Sequence, residues 1–204
     1  MPSKNTAKID LPLSYYHVYA RGASRQPIFV DTEDYAFFIS LLERYLTPDN
    51  RLNTAGVPYP NFTDSLELLA YCLMGNHFHM LIYQSDRGIM PQFMRSLLTS
   101  YSSYFNRKYG RSGSLFESRY KASRIDTDSY LQHISRYIHL NPRYWRRYPH
   151  SSYLTYIGKR TEPWVRPRKI LDLFESPTTY TEFMDDYEDV KQMLEEIKYD
   201  LADR

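Results

Sequence analysis

The sequence predicts an α+β sandwich, with helices packed on an antiparallel sheet, followed by a helical C-terminal extension. Three observations lead there. Residues 68–83 read Leu-Leu-Ala-Tyr-Cys-Leu-Met-Gly-Asn-His-Phe-His-Met-Leu-Ile-Tyr, two strands joined at a Gly75-Asn76 pair of the kind that permits a tight turn. Apolar residues recur at helical spacing on either side of this hairpin. The resulting order, strand–helix–strand–strand–helix–strand, matches the split βαβ, ferredoxin-like (RRM-like) sandwich.

Each element has its own signal. Residues 1–12 form a polar arm. Residues 15–21 alternate as a strand, and Gly22 ends it. Asp31 or Thr32 can cap a helix that runs to about Leu46, with Tyr35, Phe38, Ile39, Leu42 and Leu46 along one side. Thr47-Pro48 breaks it, and a loop rich in Pro and Asn reaches to residue 63. The hairpin strands, expected as the two central ones, occupy about 65–74 and 77–84. A second helix spans 90–109, with Phe93, Leu97, Tyr101, Tyr104 and Phe105 on one side. A fourth strand lies within 114–125. A third helix is capped near Asp126-Thr127-Asp128 and stopped at Asn141-Pro142. The helices are expected on one sheet face, leaving the other free for a site. Beyond the core, helical candidates fall at 167–175, 178–185 and 186–200. The domain reading is an arm (1–12), a main domain (13–157) and an acidic helical extension (158–204).

Composition narrows the class. No run of 18 apolar residues suggests a membrane span. The N-terminus lacks a secretory pattern, and Cys72 is the only cysteine, so a disulfide framework is excluded and a cytosolic chain fits. Net charge is only +2 but unevenly spread: basic residues exceed acidic ones by ten in residues 1–170, and acidic exceed basic by eight in 171–204. The segment 107–147 holds ten Lys and Arg against Glu117, Asp126 and Asp128. A polyanion partner, or simply a solvated basic face, follows. Tyrosine is abundant, 21 against 10 Phe, and its ring can stack on unpaired bases as well as fill a core.

Two constellations carry chemistry. His77 and His79 lie two apart on a strand, so both imidazoles share a face while Phe78 and Met80 take the other. Two neutral imidazoles on one spot can hold a divalent ion, or each can be satisfied by hydrogen bonds in a half-buried strand. On the third helix Tyr130, His133, Tyr137 and Asn141 form one stripe beside the buried stripe Leu131, Ile134 and Ile138. This sets Tyr137 at the edge of the packed face. The same pattern also describes an ordinary amphipathic helix.

Residues 73–82 (Leu-Met-Gly-Asn-His-Phe-His-Met-Leu-Ile), residues 137–142 (Tyr-Ile-His-Leu-Asn-Pro) and residues 104–111 (Tyr-Phe-Asn-Arg-Lys-Tyr-Gly-Arg) together resemble the single-tyrosine HUH transposases with an IS200-like transposase domain, and among them the REP-associated tyrosine transposases. The resemblance covers about residues 13–157. It implies a ferredoxin-like fold, metal binding by His77 and His79 assisted by Asn141, and Tyr137 as nucleophile. The third ligand is the least fixed, since some relatives carry Gln there. The implied activity is cleavage and rejoining of single-stranded, hairpin-flanked DNA through a 5′-phosphotyrosine bond, with Mg²⁺ or Mn²⁺ as cofactor; imidazole would also accept Zn²⁺. The implied setting is the bacterial cytoplasm and nucleoid, with a monomer favoured over a homodimer. Arg21, Arg107, Lys108, Arg111, Arg119, Lys121, Arg124, Arg143, Arg146 and Arg147 are the candidate DNA contacts. Two rivals remain: a non-catalytic hairpin-binding protein on the same fold, which needs no placed tyrosine, and a metal-dependent hydrolase, which would leave no protein–DNA bond.

Overall fold

A computed structural model of the chain describes residues 10–48, 52 and 55–186. Strand β1 (Ser14–Arg21) leads through a 3-10 turn into helix α1 (Thr32–Leu46). The hairpin strands β2 (Leu66–Met74) and β3 (His77–Gln84) follow, then α2 (Ile89–Lys108), β4 (Lys121–Ile125) and α3 (Asp128–Leu140). The sheet order is β2-β3-β1-β4, and every neighbouring pair is antiparallel. This is the expected α+β sandwich. Of the hairpin strands only β3 is central; β2 lies on the edge, because β1 inserts between β3 and β4.

Alternation sorts the sheet into two cores. Tyr16, Val18, Ala20, Phe78, Met80 and Ile82 face α1 and α2, where they meet Phe38, Leu42, Phe93, Leu97 and Tyr101. Leu69, Ala70, Cys72 and Leu81 face the other way and pack with Leu131, Ile134, Tyr137 and Ile138 of α3. The second face is therefore not free: α3 crosses it and leaves only one end open. Burial of an apolar stripe on each of three helices requires two faces of the sheet. A bulge between Leu68 and Ala70 resets β2, so the consecutive residues Leu69 and Ala70 both serve the second core.

Caps fix the helix starts. Asp31 accepts from the backbone N–H groups of Glu33 and Asp34, and Asp34 reciprocates through its own carboxylate, a capping box. Asp34 is fully buried and also accepts from Val30 N–H at 2.7 Å and from the Tyr109 hydroxyl at 2.9 Å. Thr127 caps α3.

The hairpin turn differs from expectation. Neither Gly75 nor Asn76 has a positive φ, so it is not one of the left-handed hairpin turns. Its two carbonyls hold the β1–α1 connection instead: Gly75 O accepts from Ile28 and Phe29 N–H at 2.8 and 3.0 Å, and Asn76 O accepts from Gly22 N–H at 2.8 Å. Gly22 is the position where a side chain would not fit, since a Cβ would come within 2.1 Å of the Gln26 carbonyl.

The C-terminal segment closes over the β2 edge. Leu73 N–H donates to His150 O, Ser152 N–H to Tyr71 O and Arg166 N–H to Leu68 O. Short helices α4 (Tyr153–Tyr156), α5 (Arg168–Leu171) and α6 (Pro177–Asp185) then add Tyr153, Tyr156, Ile170, Tyr180 and Met184 to the second core. The extension expected from residue 158 thus shares a core with α3. The acidic helix expected at 186–200 lies outside the described residues apart from Asp186, and so does most of the polar arm. Asp10 accepts from Gln84 and from Gly88 N–H. No helix of the described residues is long and apolar enough to cross a membrane.

Replacing Asp34 by Ala strands several buried donors at the start of α1. It should destabilise the fold by about 3–5 kcal/mol, read as a lower denaturant midpoint with an unchanged slope.

Candidate functional site

The open end of the second sheet face holds the candidate site. Register brings it together: Tyr19 pairs with His79 and Arg21 with His77, so four side chains from two central strands share one face. Lys121 pairs with Tyr19 from β4. Helix α3 lays Tyr137 over them. Tyr19, Arg21, His77, His79, Glu117, Lys121 and Tyr137 line a cavity of about 80 Å³. That volume admits an ion and a few waters, at about 30 Å³ per water, but not a nucleotide.

The hydrogen bonds define which nitrogen of His77 carries a proton. Asn76 Nδ2 donates to the Arg25 carbonyl at 3.1 Å, which turns Asn76 Oδ1 toward His77 Nδ1 at 2.7 Å. Nδ1 must donate, so the neutral ring keeps a lone pair on Nε2. Nε2 lies 3.3 Å from Asn141 Oδ1. The Asn141 amide also hydrogen-bonds the Tyr137 hydroxyl. Donation from its Nδ2 leaves Oδ1 toward His77, so two acceptors face each other with no proton between them.

His79 is 4 % exposed, and its Nδ1 lies 2.9 Å from His17 Nε2. The Tyr137 ring stands edge-on to His79 at 5.3 Å and to His17 at 5.8 Å. Burial holds His77 below the usual imidazole range, and burial together with its histidine neighbours and Arg21 holds His79 well below it. Both rings are neutral near pH 7 and can act as ligands. Burial pushes the Tyr137 phenol up to about 12, against the hydrogen bond from Asn141 and the charge of Arg21.

These residues fit a divalent cation. The facing pair of acceptors, His77 Nε2 and Asn141 Oδ1, suits adjacent positions around one ion with ligand distances of about 2.0–2.1 Å. His79 supplies a second neutral imidazole in the same cavity. Among the described residues no group of three or more His, Cys, Asp or Glu gathers to hold a metal; beside the two imidazoles stands the amide oxygen of Asn141.

Of the ten candidate DNA contacts, only Arg21 and Lys121 line the cavity. Lys108 lies on the far side of the sheet, where Asp31, Glu33 and Asp34 surround its ammonium at 2.7–3.1 Å. Arg107 shares a separate groove with Lys108 and Arg44. Arg111 lies over Phe105. Arg124 pairs with Asp126, and Arg146 pairs with Asp185 while covering Trp145. Arg143 lies over the exposed Tyr144, and Arg119 and Arg147 are exposed. Tyr130 is half-buried and lies outside the cavity lining.

Three site residues escape a reading of the sequence. Tyr19 and His17 share a face with Arg21 by strand alternation, but only the β1–β3 register sets them against the histidine pair. Glu117 precedes β4 in irregular chain and offers no periodic signal.

The sheet order gives the chain a ferredoxin-like α+β topology, with His77, His79 and Tyr137 lining one cavity. Residues 62–141 match the family described as "Transposase IS200 like", so the family resemblance holds over that segment, which contains His77, His79, Tyr137 and Asn141. No curated protein matches the chain. Among solved structures, the chain is similar to a REP-associated tyrosine transposase bound to a REP hairpin: 14 % identity, 85 % of this chain and 96 % of that one covered, TM-score 0.54. It is also similar to a protein of Deinococcus radiodurans R1 provisionally described as a transposase: 19 % identity, 68 % and 95 % covered, TM-score 0.40. The first likeness establishes the fold.

Three histidines are buried with lowered pKa values: His17 and His139, each at about 3 by desolvation, and His79. Folded-state values below the unfolded value of about 6.5 mean that the unfolded chain takes up the protons. Stability should therefore be full above about pH 6.5 and fall as pH drops toward 3, with uptake of about three protons on unfolding. Melting temperature against pH in metal-free buffer reads this, and a flat profile between pH 6.5 and 4 would contradict it.

Proposed function

We propose that the protein is a metal-dependent single-strand DNA transferase of the IS200-like kind, which cleaves and rejoins hairpin-flanked DNA through Tyr137. The supporting observation is the placement of the Tyr137 ring 5.3 Å from His79, with Asn141 bridging the Tyr137 hydroxyl and His77. A hydrolase would place an activated water here; this chain places a phenol. The hairpin bound in the similar structure belongs to that protein, and it suggests the substrate class for this one.

The reaction is a transfer. The Tyr137 oxygen attacks the phosphorus, the P–O3′ bond breaks, and the phenolic proton ends, in net terms, on the leaving 3′-oxygen. Attack of a 3′-hydroxyl on the phosphotyrosine reverses these changes, so a strand is rejoined without another energy source. His77, His79 and Asn141 would hold a divalent cation, Mg²⁺ or Mn²⁺, which when bound would supply Lewis-acid polarisation of the phosphate. The chain's own residues do the rest. Arg21 and Lys121 neutralise a phosphate at the cavity mouth. Asn141 orients the phenol. Helix α3 fixes the tyrosine on a rigid element, which favours an in-line approach. A phenol at about 12 is ionised in roughly one molecule in 10⁵ near pH 7, a handicap of about 7 kcal/mol, so positioning and positive charge at the phosphate both have to contribute.

A denaturing gel of protein with labelled single-stranded hairpin DNA and Mn²⁺ tests the reading. Wild type should give a covalent adduct, lost with chelator. Tyr137→Phe should lower adduct formation by more than about 10³-fold while hairpin binding stays unchanged. Peptide mapping that finds phosphotyrosine at another residue would sink the assignment. Cleavage without adduct would favour the hydrolase, and binding without cleavage the non-catalytic module.

The ten cations should not contribute alike. For single strands each phosphate contact adds about 0.7 to the slope of log K against log salt. Arg21→Ala should lower the slope by about that amount, and Lys108→Ala, whose charge is already matched by three carboxylates, should leave it unchanged.

A further inference from the structure

His17 belongs to none of the motifs above, yet it is a polar side chain only 1 % exposed at the centre of the sheet. Its Nε2 lies 2.9 Å from His79 Nδ1, and the two rings stack at 5.1 Å with 22° between their planes. A hydrogen bond between two neutral imidazole nitrogens contains one proton, and which ring owns it decides what His79 can do. If His17 Nε2 carries the proton, neutral His79 keeps its own on Nε2 and has no lone pair there. If His79 Nδ1 carries it, His79 Nε2 is bare.

We infer that His17 accepts from His79 Nδ1–H and so fixes His79 in the tautomer whose Nε2 is a ligand: His17 is a positioning residue for the metal site. This rests on the proposed function, because only a ligand role gives the tautomer a consequence. Geometry favours it in two further ways. His77 is treated in the same manner, since Asn76 Oδ1 takes the proton of its Nδ1 at 2.7 Å and leaves Nε2 bare. Each histidine of the pair then has its remote nitrogen held by a dedicated acceptor, one on the hairpin turn and one on the neighbouring strand, the arrangement by which ligating imidazoles are oriented. In addition, the edge of the Tyr137 ring meets both His17 and His79, so the contact that orients the ligand also seats the nucleophile.

The test uses the full chain and two variants. Gln at 17 can offer an oxygen where Nε2 sits; Phe keeps a ring and removes the acceptor. Mn²⁺ binding is titrated calorimetrically, with thermal melts alongside. His17→Phe should bind Mn²⁺ about 10–100-fold more weakly, and His17→Gln should regain most of that loss. Equal affinity in wild type and His17→Phe, or equal weakening in both variants, would overturn the inference. Should His17→Phe fail to fold, long-range ¹H–¹⁵N spectra of metal-free wild type decide: a proton on His79 Nδ1 supports it, and a proton on His79 Nε2 with Nδ1 bare overturns it. Wild type that binds no Mn²⁺ through His77 and His79 would instead refute the metal reading itself, a separate outcome.

Discussion

The register between β1 and β3 is the constraint on which the rest of the structure depends. It sets Tyr19 opposite His79 and Arg21 opposite His77. Side chains alternate with a period of two, so a slip by one residue would send His17, Tyr19 and Arg21 into the α1–α2 core and bring Tyr16, Val18 and Ala20 to the site. Burial on both faces forbids the slip. Val18, Phe78, Met80 and Ile82 are fully buried on one side and Leu81 on the other. The turn adds a second lock, because Gly75 and Asn76 carbonyls hold Gly22, Ile28 and Phe29. One network therefore fixes the strand pairing and the chain that carries α1.

Helix α3 is held by the C-terminal segment as well as by the sheet. His139 is fully buried, with Nδ1 at 2.7 Å from the Tyr180 hydroxyl and Nε2 at 2.8 Å from Ser152 Oγ. Arg136, also fully buried, donates to the Phe183 carbonyl at 2.8 Å and lies 3.8 Å above the Phe183 ring. A buried guanidinium is tolerated only with such partners. Residues 136 and 139 flank Tyr137 in sequence and point away from it, so the C-terminal extension sets the height and rotation of the helix that presents Tyr137 and Asn141. The extension thereby acts on the site without touching it.

How much of this was legible in the sequence follows from the kind of signal each part carries. Local rules suffice for the caps at Asp31 and Thr127, for the strand alternation around Phe78 and for the stripe through Tyr137, and these stand where expected. Long-range facts do not show in local pattern. Arg136 counts as one more basic residue in a basic segment until α6 covers it. Lys108 looks like a free cation until three carboxylates from α1 meet it. Helix α3 on the second face could not be read from periodicity, which gives a buried stripe but not the face it covers. Gly75 carries the composition of a left-handed turn, yet tertiary hydrogen bonds to its carbonyl select another.

Desolvation has opposite effects on the two halves of the site. It keeps His77 and His79 neutral, which a cation ligand requires, and it raises the Tyr137 phenol, which a nucleophile does not want. The conflict leaves the phenol dependent on positive charge beside it. In the cavity of neutral rings, Arg21 lies close enough to Tyr137 for its charge to favour the ionised phenol. On the proposed reading, a cation held by His77, His79 and Asn141 would add to that charge, in a cavity of about 80 Å³ that is too small for a nucleoside. In a low-dielectric pocket that charge acts more strongly than in water. On that reading, a tyrosine that stays protonated until cation and phosphate are both bound would not attack stray electrophiles, so the burial that weakens the isolated nucleophile would confine its reactivity to the assembled complex.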